Sequence, residues 1–74
     1  MKQIKYDRHA RQRMKWRKIS EKEVELTLGA PDKIEPTVKD RKNAYKRIGK
    51  RYLKVTYKEL QDTRVVITIV DKAD

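Results

Sequence analysis

The sequence predicts an α+β domain in which two N-terminal helices pack on one face of an antiparallel sheet of three or four strands. Three observations predict it. Helix signals are confined to the first 30 residues, apolar spacing changes from helical to twofold after Pro31, and turn residues then recur at short intervals. At 74 residues the chain is read as one domain over 1–74. It has no cysteine, so hydrophobic packing rather than disulfides must hold it together.

Residues 2–6 (KQIKY) suit a short edge strand, although five residues do not settle the matter. Asp7 is a good N-cap for a helix from Arg8 to Arg17, because its carboxylate can accept from a free N–H of the first turn. The second helix has a stronger start. Ser20 and Glu23 form a capping box, and Ile19 with Val24 forms a hydrophobic staple across it. Gly29 ends that helix and Pro31 stands just beyond. The joint between the helices is short, which makes them a hairpin or a kinked pair.

Residues 32–38 (DKIEPTV) read as a strand restricted to a sheet edge, since Pro36 has no N–H to donate. KDRKN turns the chain into 43–48 (NAYKRI), and Gly49-Lys50 reads as a tight hairpin turn into 51–58 (RYLKVTYK). A turn at Gln61-Asp62 leads to 63–70 (TRVVITIV), apolar on both faces as expected of a central strand. Alternation then assigns Leu53, Val55 and Tyr57, with Val65, Ile67 and Ile69, to the face beneath the helices. The open face receives Tyr45, Arg47, Tyr52, Lys54, Thr56, Arg64 and Thr68. Aromatic and cationic side chains on one sheet face suit RNA, and equally suit an ordinary solvated surface.

The net charge is +10, and it is arranged in blocks. Residues 1–18 hold eight cations against one acid, and residues 41–58 hold eight against none. The segments between and after them are net acidic. Such blocks fit a polyanion, an acidic protein or an anionic surface. No apolar run is long enough to span a membrane, and Lys2, Lys5 and Arg8 are unlike a secretory leader, so a cytoplasmic protein without a membrane partner is expected.

The stretch "HARQRMKWRKISEKEVELTLGAPDKI" carries His-Ala, Arg-Met, Arg, Ile-Ser, Glu-Val and Pro-Asp in fixed order, and "NAYKRIGKRYLKVTYKELQDTRVVITIV" adds Arg-Ile-Gly and an apolar last strand. In these residues the chain resembles a small bacterial and archaeal family of unknown function. That family is similar to the RelE/ParE toxin superfamily and to BrnT-like toxins. The resemblance implies a RelE-like fold and an mRNA endoribonuclease, with or without the ribosome, restrained by a cognate acidic antitoxin protein. The ParE-like branch does not cleave RNA, which leaves the reaction open. The family also carries Gly at the position of Lys18, which implies a left-handed turn that costs Lys about 1 kcal/mol.

Metal-free RNA cleavage activates a 2′-hydroxyl, stabilises a phosphorane and protonates the leaving 5′-oxygen. A single histidine excludes a paired-histidine mechanism. RelE-like enzymes work with Arg, Lys and Tyr, so the resemblance implies Arg47, Lys54, Arg64 and Tyr52 as catalytic candidates, with His9 beside them. Arg13, Arg17, Tyr45, Lys46, Lys50 and Arg51 are the candidates for holding nucleic acid, and no cofactor or metal is expected. His9 forms a stripe with Arg13 and Arg17 between Trp16 and the Ala10/Met14 pair. It is either a neutral base or a group anchoring the helix to strand ends. Trp16 is a core or antitoxin-interface anchor in one reading and a base-stacking residue in the other. A non-catalytic nucleic-acid-binding module and a regulatory protein docking an acidic partner stand as alternative functions.

Overall fold

Local signals set the helices where the sequence predicts them. The computed structural model describes residues 3–73, and Lys2, the first residue of the predicted edge strand, lies outside them. After β1 (Gln3–Tyr6), the Asp7 carboxylate accepts from the Ala10 N–H at 2.8 Å and starts α1 (Arg8–Arg17). Lys18 ends it in the left-handed region at φ 56° and ψ 44°, as the glycine of the resembled family implies. The capping box then opens α2 (Glu21–Gly29): Ser20 Oγ accepts from the Glu23 N–H at 3.1 Å, and the Glu23 carboxylate accepts from the Ser20 N–H at 2.9 Å. The staple residues Ile19 and Val24 are both buried.

The remaining strands are β2 (Lys33–Pro36), β3 (Arg41–Ile48), β4 (Arg51–Glu59) and β5 (Thr63–Asp71). Gly49 turns β3 into β4 at φ +58°, a backbone conformation that glycine adopts without a steric penalty. The sheet has five strands in the order β1-β5-β4-β3-β2, and it is mixed. The prediction of three or four purely antiparallel strands is therefore corrected. β1 pairs parallel with β5, from Gln3 beside Thr63 to Tyr6 beside Val66. A parallel pair needs a long crossover, and here everything from α1 to β4 supplies it. A long-range pairing of this kind leaves no mark on the five residues themselves. β2 takes the opposite edge, where Pro36 is tolerated.

Both helices lie on one face, α1 against β5 and β1, α2 against β3 and β4. Beneath them Leu53, Val55 and Tyr57 are buried as predicted, together with Ala10, Met14, Leu28 and Ala44. β5 departs from its predicted alternation. Thr56 pairs with Thr68 while Tyr57 pairs with Val66, so Ile67 is an extra residue in a β-bulge. Val66 and Ile69 are fully buried, whereas Val65 and Ile67 are not. A bulge inverts the facing of every residue on its far side. Among the described residues, no helix is long and apolar enough to cross a membrane.

Candidate nucleic-acid interface

The bulge decides where the predicted site residues fall. Arg64 lies before it and pairs with Glu59, on the same side as Tyr57, so it belongs to the helix-covered face. Its guanidinium donates to the Leu28 carbonyl at 2.9 Å and lies 3.4 Å from the Glu59 carboxylate. Its predicted place on the open face is corrected.

Arg51 and Lys46 also face the helices. Arg51 donates to the Lys18 carbonyl at 3.1 Å and pairs with Glu23 at 3.5 Å. Lys46 donates to the Ala30 carbonyl at 2.8 Å. These three cations share one role. Each holds a carbonyl at the C-terminal end of a helix, where four carbonyls lack intrahelical partners and the helix dipole is negative.

The open face keeps the rest of the strand set. Cross-strand pairs bring Arg47 opposite Tyr52, Tyr45 opposite Lys54, and Asn43 opposite Thr56. Thr68 lies beyond Thr56, and the Thr56 hydroxyl donates to Asn43 Oδ1 at 2.7 Å. Tyr45 and Tyr52 stack with ring centroids 5.8 Å apart. The Arg47 guanidinium lies 5.2 Å from the Tyr52 ring centre, and Lys33 and Lys72 approach the Tyr45 ring at 4.6 and 6.0 Å.

Tyr45 is only 7% exposed, covered by the side chains of its own face, and it donates to the Glu35 carboxylate. That hydrogen bond raises the Tyr45 phenol above its usual range and lowers Glu35. The ring of Tyr45 thus supports Tyr52 and offers no free surface to a base. Lys54, half-buried between Tyr52 and Thr56, has no hydrogen bond or ion pair among the described residues. Lys5, Arg41 and Lys58 extend the positive surface, with Lys58 held by Asp40 at 3.5 Å.

The helix candidates lie on the other side of the sheet. His9 is exposed on α1. Trp16 is 71% exposed, so it is no core anchor. Ala10 and Met14 alone seat α1. Arg13 is half-buried, Arg17 is exposed, and Lys50 stands in the β3–β4 turn. The structure therefore brings Arg47, Tyr52 and Lys54 together and separates Arg64 and His9 from them.

The sequence reading missed a groove of about 620 Å³ between α2 and the β1–β5 pair. Ile4, Tyr6 and Leu28 give it apolar walls, and Glu21, Glu25 and Arg64 line it as well. The Tyr6 hydroxyl is buried without a partner among the described residues, and burial, reinforced by Glu21 and Glu25, pushes its pKa up to about 12. It is neutral throughout the physiological range. No local signal marks the groove, because its walls come from β1, α2 and β5.

The profile of a family described as "Domain of unknown function (DUF4258)" matches residues 6–71. No curated protein and no solved structure matches the chain. The matched span runs from the end of β1 through both helices and the whole of β2 to β5. The chain belongs to the DUF4258 family.

Proposed function

We propose that this protein binds RNA on the open face of its sheet, and that it does so as the toxin component of a toxin–antitoxin pair with a RelE-like fold. The observation that carries the reading is Lys54, unpaired among the described residues, amid Tyr52, Arg47 and Thr56 on a face where Glu35 and Asp40 are each engaged by a lysine. Cations there release counterions from phosphates, and Tyr52 stacks on a base.

The reaction proposed is metal-independent endoribonucleolysis of mRNA, on the ribosome or off it. Arg47 stabilises the phosphorane, the Lys54 ammonium gives a proton to the leaving 5′-oxygen, and water takes the proton of the attacking 2′-hydroxyl, with Tyr52 positioning the nucleotide. Arg64 and His9 drop out of the catalytic set. An acidic antitoxin neutralises the face by covering it.

Loss of those two groups leaves no acid–base pair on the open face, and this favours a second reading: binding of RNA without cleavage. Induced expression with mapping of RNA 5′ ends separates the two. Growth arrest with new 5′ ends, both abolished by Lys54→Met, supports the toxin. Salt-sensitive RNA binding by the purified chain without new ends supports the module, and cleavage that survives Arg47→Ala and Lys54→Met together removes the site from this face.

A further inference from the structure

The chain's single tryptophan is 71% exposed in the last turn of α1, a helix that contains no acidic residue. His9 and Arg13 share its flank at i−7 and i−3. Arg11 occupies the opposite flank and pairs with Glu21 of α2 at 3.0 Å, so the Trp16 flank turns away from α2. An exposed indole in a field of cations has no packing role in the fold. It does offer what a nucleobase needs, a flat π surface beside groups that hold phosphates.

The second observation is where α1 ends. The Lys18 carbonyl accepts from Arg51, the first residue of β4, so the end of α1 sits at the β3–β4 hairpin. The open-face cluster lies at that same end. Arg47 and Tyr52 are one residue pair in from the turn, and the Lys72 N–H donates to the Tyr52 carbonyl at 2.8 Å. The carboxylates at this end are engaged. Asp71 accepts from the Tyr52 and Ala73 N–H groups, which lower its pKa, and Glu23 caps α2 and pairs with Arg51. Lys50 and Lys72 therefore bridge the two faces around the hairpin, with no free acid between them among the described residues.

We propose that a single strand of RNA bound at Tyr52 and Lys54 continues over the β3–β4 hairpin and stacks a base on Trp16. The inference rests on the proposed RNA-binding face and extends it to a second anchor on the opposite side of the sheet. The molecule is about 24 Å across its shorter axes. A strand must therefore be several nucleotides longer than the open-face footprint to reach the indole, within the range of single-strand sites of about 4–16 nucleotides.

Trp16 is its own reporter. Oligouridylates of five and fifteen nucleotides are titrated into the full chain while indole emission and anisotropy of a labelled oligonucleotide are followed. The 15-mer quenches the indole and the 5-mer binds without quenching. Trp16→Ala weakens the 15-mer roughly 5- to 100-fold and leaves the 5-mer unchanged, while Trp16→Phe recovers most of the affinity. Thermal midpoints of both variants match the parent, since the side chain is exposed. A 15-mer that binds with Lys54→Glu sensitivity but neither quenches the indole nor responds to Trp16→Ala overturns the path. Quenching by polyglutamate or by anionic vesicles in place of RNA overturns it too, and makes this end a protein or lipid contact. No binding of either oligonucleotide removes the RNA-binding face itself, and the path with it.

Discussion

Lys18 holds a left-handed backbone conformation at which a Cβ clashes with the following carbonyl, and it does so to turn α1 into α2. Its side chain is exposed. Lys18→Gly should therefore raise stability by about 1 kcal/mol, visible as a higher urea midpoint at unchanged slope. Tyr6 gives a pH signature. Its buried hydroxyl favours the neutral phenol in the folded state, with the pKa raised from 10.0 to about 12. The associated stability is complete below pH 10 and is lost as the pH rises through 12. Tyr6→Phe removes an unpartnered polar atom, so it should be no less stable at pH 7 and should unfold less readily between pH 10 and 12. Denaturant melts at pH 7, 10 and 12 decide this, and a phenylalanine variant with the parent's alkaline loss refutes it.

At the level of elements, the bulge in β5 adds a third cation to the two that β3 and β4 already place on helix ends. The bulge turns Arg64 inward, where it meets the last carbonyls of α2. Arg51 and Lys46 do the same for Lys18 and Ala30 from the neighbouring strands. Helices this short are marginal alone and depend on what the sheet offers their ends. Arg64→Met should cost about 1–2 kcal/mol in chemical denaturation, since it strands the Leu28 carbonyl, while Glu59 keeps Lys42 at 3.2 Å. RNA affinity should change less than twofold. If affinity fell with stability intact, Arg64 would belong to the interface after all.

Over the whole molecule, the alternating charge blocks become two surfaces. Part of the basic 41–58 block faces inward to hold helices, and the remainder coats the open face. Within that block, only the second group is available to phosphates on the sheet. With about four such contacts, the logarithm of affinity for the 5-mer confined to that face should fall against the logarithm of salt with a slope near −3. A slope steeper than about −5 would mean that the helix-facing cations reach RNA as well.

Both helices with their caps, the hairpin at Gly49, the edge position of β2 and the open-face grouping of Arg47, Tyr52 and Lys54 were all legible in the sequence. Each depends on neighbours a few residues apart: a cap needs three residues, a hairpin two, and a face only the alternation of one strand. The parallel partner of β1, the bulge at Ile67 and the groove around Tyr6 were not legible, because each requires segments far apart in the chain to meet. Tertiary structure alone also decided which cations are structural. Arg64 and Arg47 are the same residue type on strands of one sheet, and the bulge in β5 sends Arg64 beneath the helices, while Arg47 keeps the solvent face that alternation along β3 gives it.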